Sequence, residues 1–287
     1  MYYNNETFIF KDGEFIKVND AKTSIYGQTL HYGNGVFEGI RSYDTSQGTK
    51  IFKPKEHFDR LKFSAESTHL RLDYSSEDLE KITYKILEQN RLTDAYIRRL
   101  VYSGESMSQF PSEESHIVIM AWNWGKFLGD QMIRLKLSSF QRPNPKSCIV
   151  EAKVCGHYVN SMLATTEAKK AGYDEALLTD MHGFVAEGPG ANLFYEKDGK
   201  LYTPSLGNIL RGITRNTIID IAKGMGYEVV EKQTTPEELK TADSAFYCGT
   251  AVEVVGIKSL DDYEFPLPWE NSIGSIMREE YSKMVTQ

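Results

Sequence analysis

Lys153 closes the apolar run Cys148-Ile149-Val150-Glu151-Ala152 and precedes Val154-Cys155-Gly156. An apolar setting disfavours an ammonium ion, and a neutral amine is what condensation with a carbonyl requires. Taken alone, the same residue also reads as a strand-end lysine whose head reaches solvent. Glu187 stands in Val185-Ala186-Glu187-Gly188-Pro189-Gly190, where a strand breaks into a glycine-rich turn. Such turns let backbone approach a ligand, and the carboxylate suits a cationic ring nitrogen or simply water. Gly212-Ile213-Thr214-Arg215 opens a helical pattern, so its amides and the threonine hydroxyl suit a phosphate. Gly249-Thr250-Ala251 offers further amides, and each of these two segments also reads as an ordinary cap or turn. Tyr96 and Arg98 are two apart on a strand and so share a face. An arginine beside a phenol suits bidentate capture of a carboxylate, and equally a structural ion pair.

These residues need elements to hold them. Phe8 to Val18 carries a hairpin signature around Lys11-Asp12-Gly13-Glu14, and helices are expected from Lys55 to Leu70 and after a Ser75-Ser76-Glu77-Asp78 cap. Strands are expected over Ala95 to Ser103 and His116 to Trp122. Asn123 to Gln131 breaks the periodicity and reads as a linker. Beyond it, strands are expected at Met132 to Phe140, Ser147 to Ala152, Asp174 to Asp180, Gly183 to Ala186 and the hairpin Asn192 to Tyr202. Helices follow over Tyr158 to Ala171 and Ile213 to Met225, then strands near Glu228 to Lys232, Ala245 to Cys248 and Ala251 to Ile257, and a helix near Ser272 to Met284. The class is α+β in two domains: a small N-terminal α/β domain over residues 1–122, a linker over 123–131, and a larger C-terminal domain over 132–287 carrying Lys153.

Composition narrows the chemistry. With 287 residues, 40% hydrophobic and 25% charged, the chain suits a globular enzyme of one or two domains. A net charge of −7 without a basic tract argues against nucleic acid or an anionic membrane as partner. The densest basic pair, Arg98-Arg99, lies inside an apolar stretch. Three cysteines without a CxxC pair point to reduced thiols, not a disulfide framework or a metal site. The start, MYYNNETFIF, lacks the pattern of a secretory signal, and no apolar run approaches the ~20 residues of a membrane span. The expected location is cytoplasmic. No P-loop, HExxH or GxSxG is present, and Gly33 to Gly39 does not have the GxGxxG spacing.

Together and in this order, the motifs resemble those of the class IV (fold-type IV) pyridoxal-phosphate (PLP) aminotransferases, and among them the branched-chain amino-acid aminotransferases. The likeness runs through Tyr32-Gly33, Val36-Phe37-Glu38-Gly39-Ile40-Arg41, His57-Phe58-Asp59-Arg60-Leu61, Tyr96-Ile97-Arg98 and Ala152-Lys153 with Tyr158. It continues in Glu187-Gly188-Pro189-Gly190-Ala191-Asn192-Leu193-Phe194, Leu210 with Gly212-Ile213-Thr214-Arg215, and Gly249-Thr250-Ala251. The resemblance implies a C-terminal pseudo-barrel, PLP as cofactor, no metal, and ping-pong transamination between L-leucine, L-isoleucine or L-valine and 2-oxoglutarate. It implies that Lys153 holds the cofactor as a Schiff base and shuttles a proton, Glu187 meets the pyridine nitrogen, and Tyr158 meets the 3′-oxygen. Arg60, Ile213, Thr214 and Thr250 would take the phosphate, with Leu210 against the ring. Tyr32, Phe37, Tyr96, Arg98, Trp124, Thr250 and Ala251 would bind substrate. It also implies at least a homodimer, in which Tyr32 and the loop around Met107 serve the neighbouring subunit.

Two features depart from the family pattern. Gly104 to Phe110 differs from the usual glycine-rich loop, which bears on substrate preference, and Arg211 stands where proline is common. Within the fold, a D-amino-acid aminotransferase usually has Arg-x-His in place of Tyr96-Ile97-Arg98. An aminodeoxychorismate lyase usually has threonine where this chain has Glu38-Gly39. Both comparisons favour the branched-chain reading.

Overall fold

In the computed structural model, which describes residues 2–287, the chain divides into two compact units. The first holds residues up to Gly125 together with Ala152–His157 and Thr286–Gln287, and the second holds Lys126–Glu151 and Tyr158–Val285.

The first unit begins with the hairpin β1 (Phe8–Lys11) and β2 (Glu14–Lys17), then a short α1 (Gln28–Tyr32), β3 (Gly35–Thr45) and β4 (Gly48–Ile51). Two helices follow, α2 (Pro54–Ser67) and α3 (Ser76–Gln89), then β5 (Ala95–Ser103) and β6 (Ser115–Trp122). The expected cap at Ser75 is a full capping box: its side chain accepts from the Asp78 amide while Asp78 reaches back to the Ser75 amide. The strands form one six-stranded sheet in the order β2-β1-β6-β5-β3-β4, and its pairs are antiparallel. Residues 33–39, which from sequence carry only a glycine pattern, run directly into β3, buried from Gly35 to Tyr43. Val36, Ile40, Phe58, Leu61, Ile97 and Val101 pack in its core.

Register decides what β3 and β5 present. Glu38 lies opposite Arg99, Gly39 opposite Arg98, and Arg41 opposite Tyr96. Because side chains alternate along a strand, one face carries Phe37, Gly39, Tyr96 and Arg98, and the other carries Glu38 and Arg99.

Ser147 to Ala152 does not form the expected strand, and Lys153 does not belong with the C-terminal half. The reason lies in β3. Its partner β4 covers only Ser42 to Thr45, leaving the Gly35–Phe37 edge without a partner strand. The Lys153 segment fills it, with Val154 bridging Val36 and the Phe37 amide donating to the Lys153 carbonyl at 3.0 Å. Buried Ala152 and Val154 join the first unit's core.

The second unit contains β7 (Ile133–Gln141), α4 (Tyr158–Lys170), β8 (Glu175–Thr179), β9 (Asn192–Lys197), β10 (Lys200–Thr203) and α5 (Ile213–Gly224). It continues with β11 (Val229–Glu231), α6 (Pro236–Leu239), β12 (Ser244–Gly249), β13 (Glu253–Leu260), β14 (Tyr263–Glu264) and α7 (Ile273–Thr286). A mixed eight-stranded sheet runs β11-β10-β9-β12-β13-β7-β8, with β14 on β13. Gly183 to Ala186 is not a strand of its own. Val185 bridges Thr179 of β8 and Glu187 bridges Asn192 of β9, so this stretch links the β8 end of the sheet back to β9. The α+β class with two sheets holds.

Candidate active site

In the first unit, helix α2 organises two stations. His57, Arg60 and Ser64 fall at spacings of three and four, so they share one side of the helix. The Ser64 hydroxyl accepts from the Lys153 amide at 3.0 Å, which ties the lysine's backbone to α2. Lys153 Nζ then lies 4.9 Å from the centre of the Phe37 ring, and the Arg98 guanidinium lies 4.4 Å from the same centre. Arg98 Nη2 donates to the Tyr96 hydroxyl at 3.2 Å, and Trp124 meets the Tyr96 ring edge-on at 4.9 Å. Tyr96 can lie there because residue 39 is glycine, since any Cβ at that position would overlap the phenol. One face of the unit thus gathers Lys153, Phe37, Tyr96, Arg98 and Trp124. Beside them, burial pushes the Cys155 thiol up, against the pull of Arg98 and Lys153.

Arg60 belongs to the other face. Its Nε and Nη2 donate to Glu38 at 2.6 and 2.9 Å, and His57 Nδ1 meets the same carboxylate at 2.7 Å. Burial alone would raise the Glu38 pKa. The Arg60 charge and the His57 hydrogen bond outweigh it and hold the carboxyl far below the usual range. Burial likewise pushes the His57 imidazole down, against the pull of Glu38, so the ring is neutral at pH 7. Arg99, fully buried, donates to the Thr83 hydroxyl and stacks on Phe58 at 4.0 Å. Burial brings its pKa down to about 9, against the pull of Glu38, and it stays charged at neutral pH.

Tyr32 stands apart from both stations. It is half exposed, and its hydroxyl donates to the Met107 carbonyl at 3.1 Å.

In the second unit, Glu187 is buried, as the glycine-rich turn around it permits. Arg142 Nε lies 2.9 Å from its Oε1, Asn192 Nδ2 donates at 3.0 Å, and the Leu210 amide donates at 3.2 Å. The Arg142 N–H points off the line to the oxygen, so the contact is ionic more than a directed hydrogen bond. Asn192 also donates to the Leu210 carbonyl at 3.1 Å, joining Glu187 to the segment that leads into α5. Gly212 is the N-cap there and supplies no side-chain cap, so the first amides of α5, at buried Ile213 and Thr214, point out of the helix end. A side chain at Gly212 would overlap Asn192 Oδ1. Thr250 and Ala251 follow β12 half-buried, and the Ala251 carbonyl accepts from Phe127. Tyr158 opens α4, half-buried. Arg211, in place of proline, is exposed and pairs with Glu151 at 2.9 Å, which explains its tolerance.

Sequence reasoning missed the partners: Arg142 and Asn192 on Glu187, Glu38 and His57 on Arg60, and Ser64 under Lys153. The i, i+3 pair His57 and Arg60 carries a helical signal. Arg142, forty-five positions before Glu187, carries none. Among the described residues no cluster of histidine, cysteine and carboxylate is suited to a metal.

A family model described as amino-transferase class IV matches residues 35–260. The chain is 41% identical to the branched-chain-amino-acid aminotransferase of Pseudomonas aeruginosa, over 97% of this chain and 92% of that one. It is 38% identical to the enzyme of the same name from Escherichia coli K12, over 88% and 85%. Among solved structures, a T.th. branched-chain amino acid aminotransferase complexed with N-(5′-phosphopyridoxyl)-L-glutamate superposes with a TM-score of 0.92 at 38% identity, covering 98% and 94% of the two chains. The Thermoproteus uzoniensis branched-chain aminotransferase with norvaline gives 0.94 at 35% identity, covering 98% and 95%.

Proposed function

The chain belongs to the class IV aminotransferases, and from that premise we infer that it transfers the amino group between L-branched-chain amino acids and 2-oxoglutarate using PLP. The likeness over nearly the whole chain, to relatives and to a structure holding a phosphopyridoxyl-glutamate adduct, carries this reading. Neither the D-amino-acid transferase nor the lyase is favoured.

The residues present fit the cofactor. In the first unit two guanidiniums, the part-buried Arg60 and the fully buried Arg99, accompany one carboxylate and a neutral imidazole, which leaves one positive charge suited to an anion. In the second, the uncapped start of α5 suits a phosphate, and Glu187, opposed by Arg142, suits a cationic ring nitrogen. When bound, PLP supplies an electron sink for the pair left at the substrate Cα on deprotonation.

The chain's own residues do the rest. Lys153 would hold the cofactor through Nζ, and its amine, when free, would take up the substrate Cα proton and return it. Glu187 would accept the hydrogen bond of the ring N–H and keep that nitrogen protonated. Tyr158 meets the 3′-oxygen, and Leu210 packs against the ring. Arg60, Ile213, Thr214 and Thr250 hold the phosphate. Arg98 and Tyr96, with Thr250 and Ala251, orient substrate carboxylates, while Phe37, Trp124 and Tyr32 of a second copy line the side-chain pocket. The two half-reactions run in alternation.

A homodimer is the minimal assembly in this reading. Ile25, Tyr26, Leu30, Tyr32, Met107 and Phe110 are exposed on the first unit, an apolar surface suited to a second copy. Among the described residues no helix is long and apolar enough to cross a membrane. The reading places the enzyme in the cytoplasm.

A half-reaction panel tests the assignment. L-leucine, L-isoleucine and L-valine should each bleach the visible absorbance of the bound cofactor, and 2-oxoglutarate should restore it. Reaction with D-alanine or D-glutamate but not with L-leucine would overturn it.

A further inference from the structure

Glu38 has no part in the transfer chemistry, yet it is fully buried and takes two arms of Arg60 in a fork. By charge alone, a carboxylate beside a phosphate-binding arginine weakens the site. Its geometry suggests what offsets this. An arginine side chain loses considerable rotamer freedom when it is held, and a fork on a rigid strand meets that cost in folding instead of in binding. Glu38 is itself fixed. It lies within β3, in the stretch paired with β5, and His57 meets its Oε2 from one turn before Arg60 on α2. Across the β3–β5 pair it faces Arg99, whose guanidinium is held by Thr83 and Phe58. Carboxylate, imidazole and guanidinium are thus locked to one another by a strand and a helix. The same helix carries Ser64, which holds the Lys153 backbone.

We propose that Glu38, supported by His57, is a positioning residue that sets the Arg60 guanidinium for the phosphate of the cofactor. The proposal rests on the reading of Arg60 as a phosphate ligand.

The test compares equilibrium binding of PLP and of pyridoxal, which lacks the phosphate, to the full-length apoprotein by fluorescence titration. The ratio of the two dissociation constants isolates the phosphate's contribution. Arg60→Ala should lower that ratio roughly ten- to hundredfold, the scale of a hydrogen bond between charged groups. Glu38→Gln should lower it by about three- to tenfold with pyridoxal binding little changed. Glu38→Asp keeps the charge but withdraws the carboxylate by one methylene, and it should lower the ratio as well. The Asp variant also carries the test if the Gln variant does not fold.

A purely electrostatic Glu38 gives the opposite pattern, with a raised ratio in Gln and a wild-type ratio in Asp, and that result overturns the proposal. So does a lower melting temperature with an unchanged ratio in both variants, which marks a role in folding alone. If Arg60→Ala leaves the ratio unchanged, the phosphate reading of Arg60 fails and the proposal fails with it. A drop in Arg60→Ala without one in either Glu38 variant overturns the positioning role alone.

Discussion

Glu38 in the first unit and Glu187 in the second are both buried, and each is met by an arginine and by neutral donors: Arg60 and His57 for Glu38, Arg142, Asn192 and the Leu210 amide for Glu187. Their proposed uses are reversed. In the first pair the arginine meets the ligand and the carboxylate holds it. In the second the carboxylate meets the ligand and the arginine holds it. Exposure separates the members of the first pair, with the Arg60 side chain 11% exposed against 0% for Glu38. It does not separate the second, at 8% and 6%. What marks Glu187 is its backbone, a glycine-rich turn that a ligand can approach. A buried charge assigned to a ligand is, in both cases, set in advance by an opposite charge belonging to the fold.

If the roles are reversed in this way, removing the acting member of a pair and removing its holder should have different signatures. Glu187→Gln keeps the shape and the Asn192 contact but removes the charge that favours a protonated ring. The turnover number is expected to fall about a hundred- to a thousandfold, the scale of losing one preorganised electrostatic partner, with cofactor still bound by absorbance. Turnover within tenfold of the parent would break the comparison at its stronger end.

Arg142→Met removes a holder. It leaves Glu187 buried with only neutral donors among the contacts described above, and breaking a buried pair typically costs about 3–5 kcal/mol. For a chain of this size that corresponds to a melting-temperature loss on the order of 10 °C. Turnover measured well below that temperature should fall less than in Glu187→Gln. A variant as stable as the parent but as inactive as Glu187→Gln would make Arg142 an acting residue and undo the distinction.

Glu187 is legible in the sequence as a candidate and the holders are not, for a physical reason; Arg60 enters only through the family resemblance. Glu187 and the start of α5 carry local signatures, since a glycine-rich turn and an uncapped helix start are written in adjacent residues. Strand periodicity alone puts Tyr96 and Arg98 on one face, and they do touch. Holders are tertiary. Arg142 reaches Glu187 through the curl of the sheet, and Glu38 reaches Arg60 through the packing of α2 on β3. The error at Lys153 has the same origin. Cys148 to Ala152 is apolar enough for a strand, but its register and partner depend on an edge left open over a hundred residues earlier, at Gly35 to Phe37. Periodicity reports burial and is silent about which neighbour does the burying.

The smallest effect expected concerns a third carboxylate, which shows what a buried glutamate does without an arginine. Glu175 is 3% exposed, and its Oε1 accepts from the Thr165 hydroxyl at 2.8 Å and the Ala176 amide at 2.9 Å. Burial pushes its pKa up, and those two hydrogen bonds only partly oppose it, whereas Arg60 and His57 reverse the same penalty at Glu38. The consequences for stability have opposite signs. Glu38 binds its proton more weakly folded than unfolded. Its contribution is therefore present above the ordinary glutamate pKa and is lost only as pH falls toward its lowered folded value. Glu175 binds its proton more tightly when folded. Between the ordinary glutamate pKa and its raised folded value the native state holds more protons, so stability falls as pH rises through that window. Glu175→Gln keeps an oxygen for Thr165 and Ala176 and removes the ionisation. It should flatten that part of the stability profile and gain under about 1 kcal/mol at pH 7, the scale of a single hydrogen bond. Urea unfolding at several pH values from 4 to 8 reads the slope. A variant that loses stability at pH 7, with the slope unchanged, would mean that the Glu175 charge is offset by the fold as the Glu38 charge is, and the contrast between paired and unpaired carboxylates would fail.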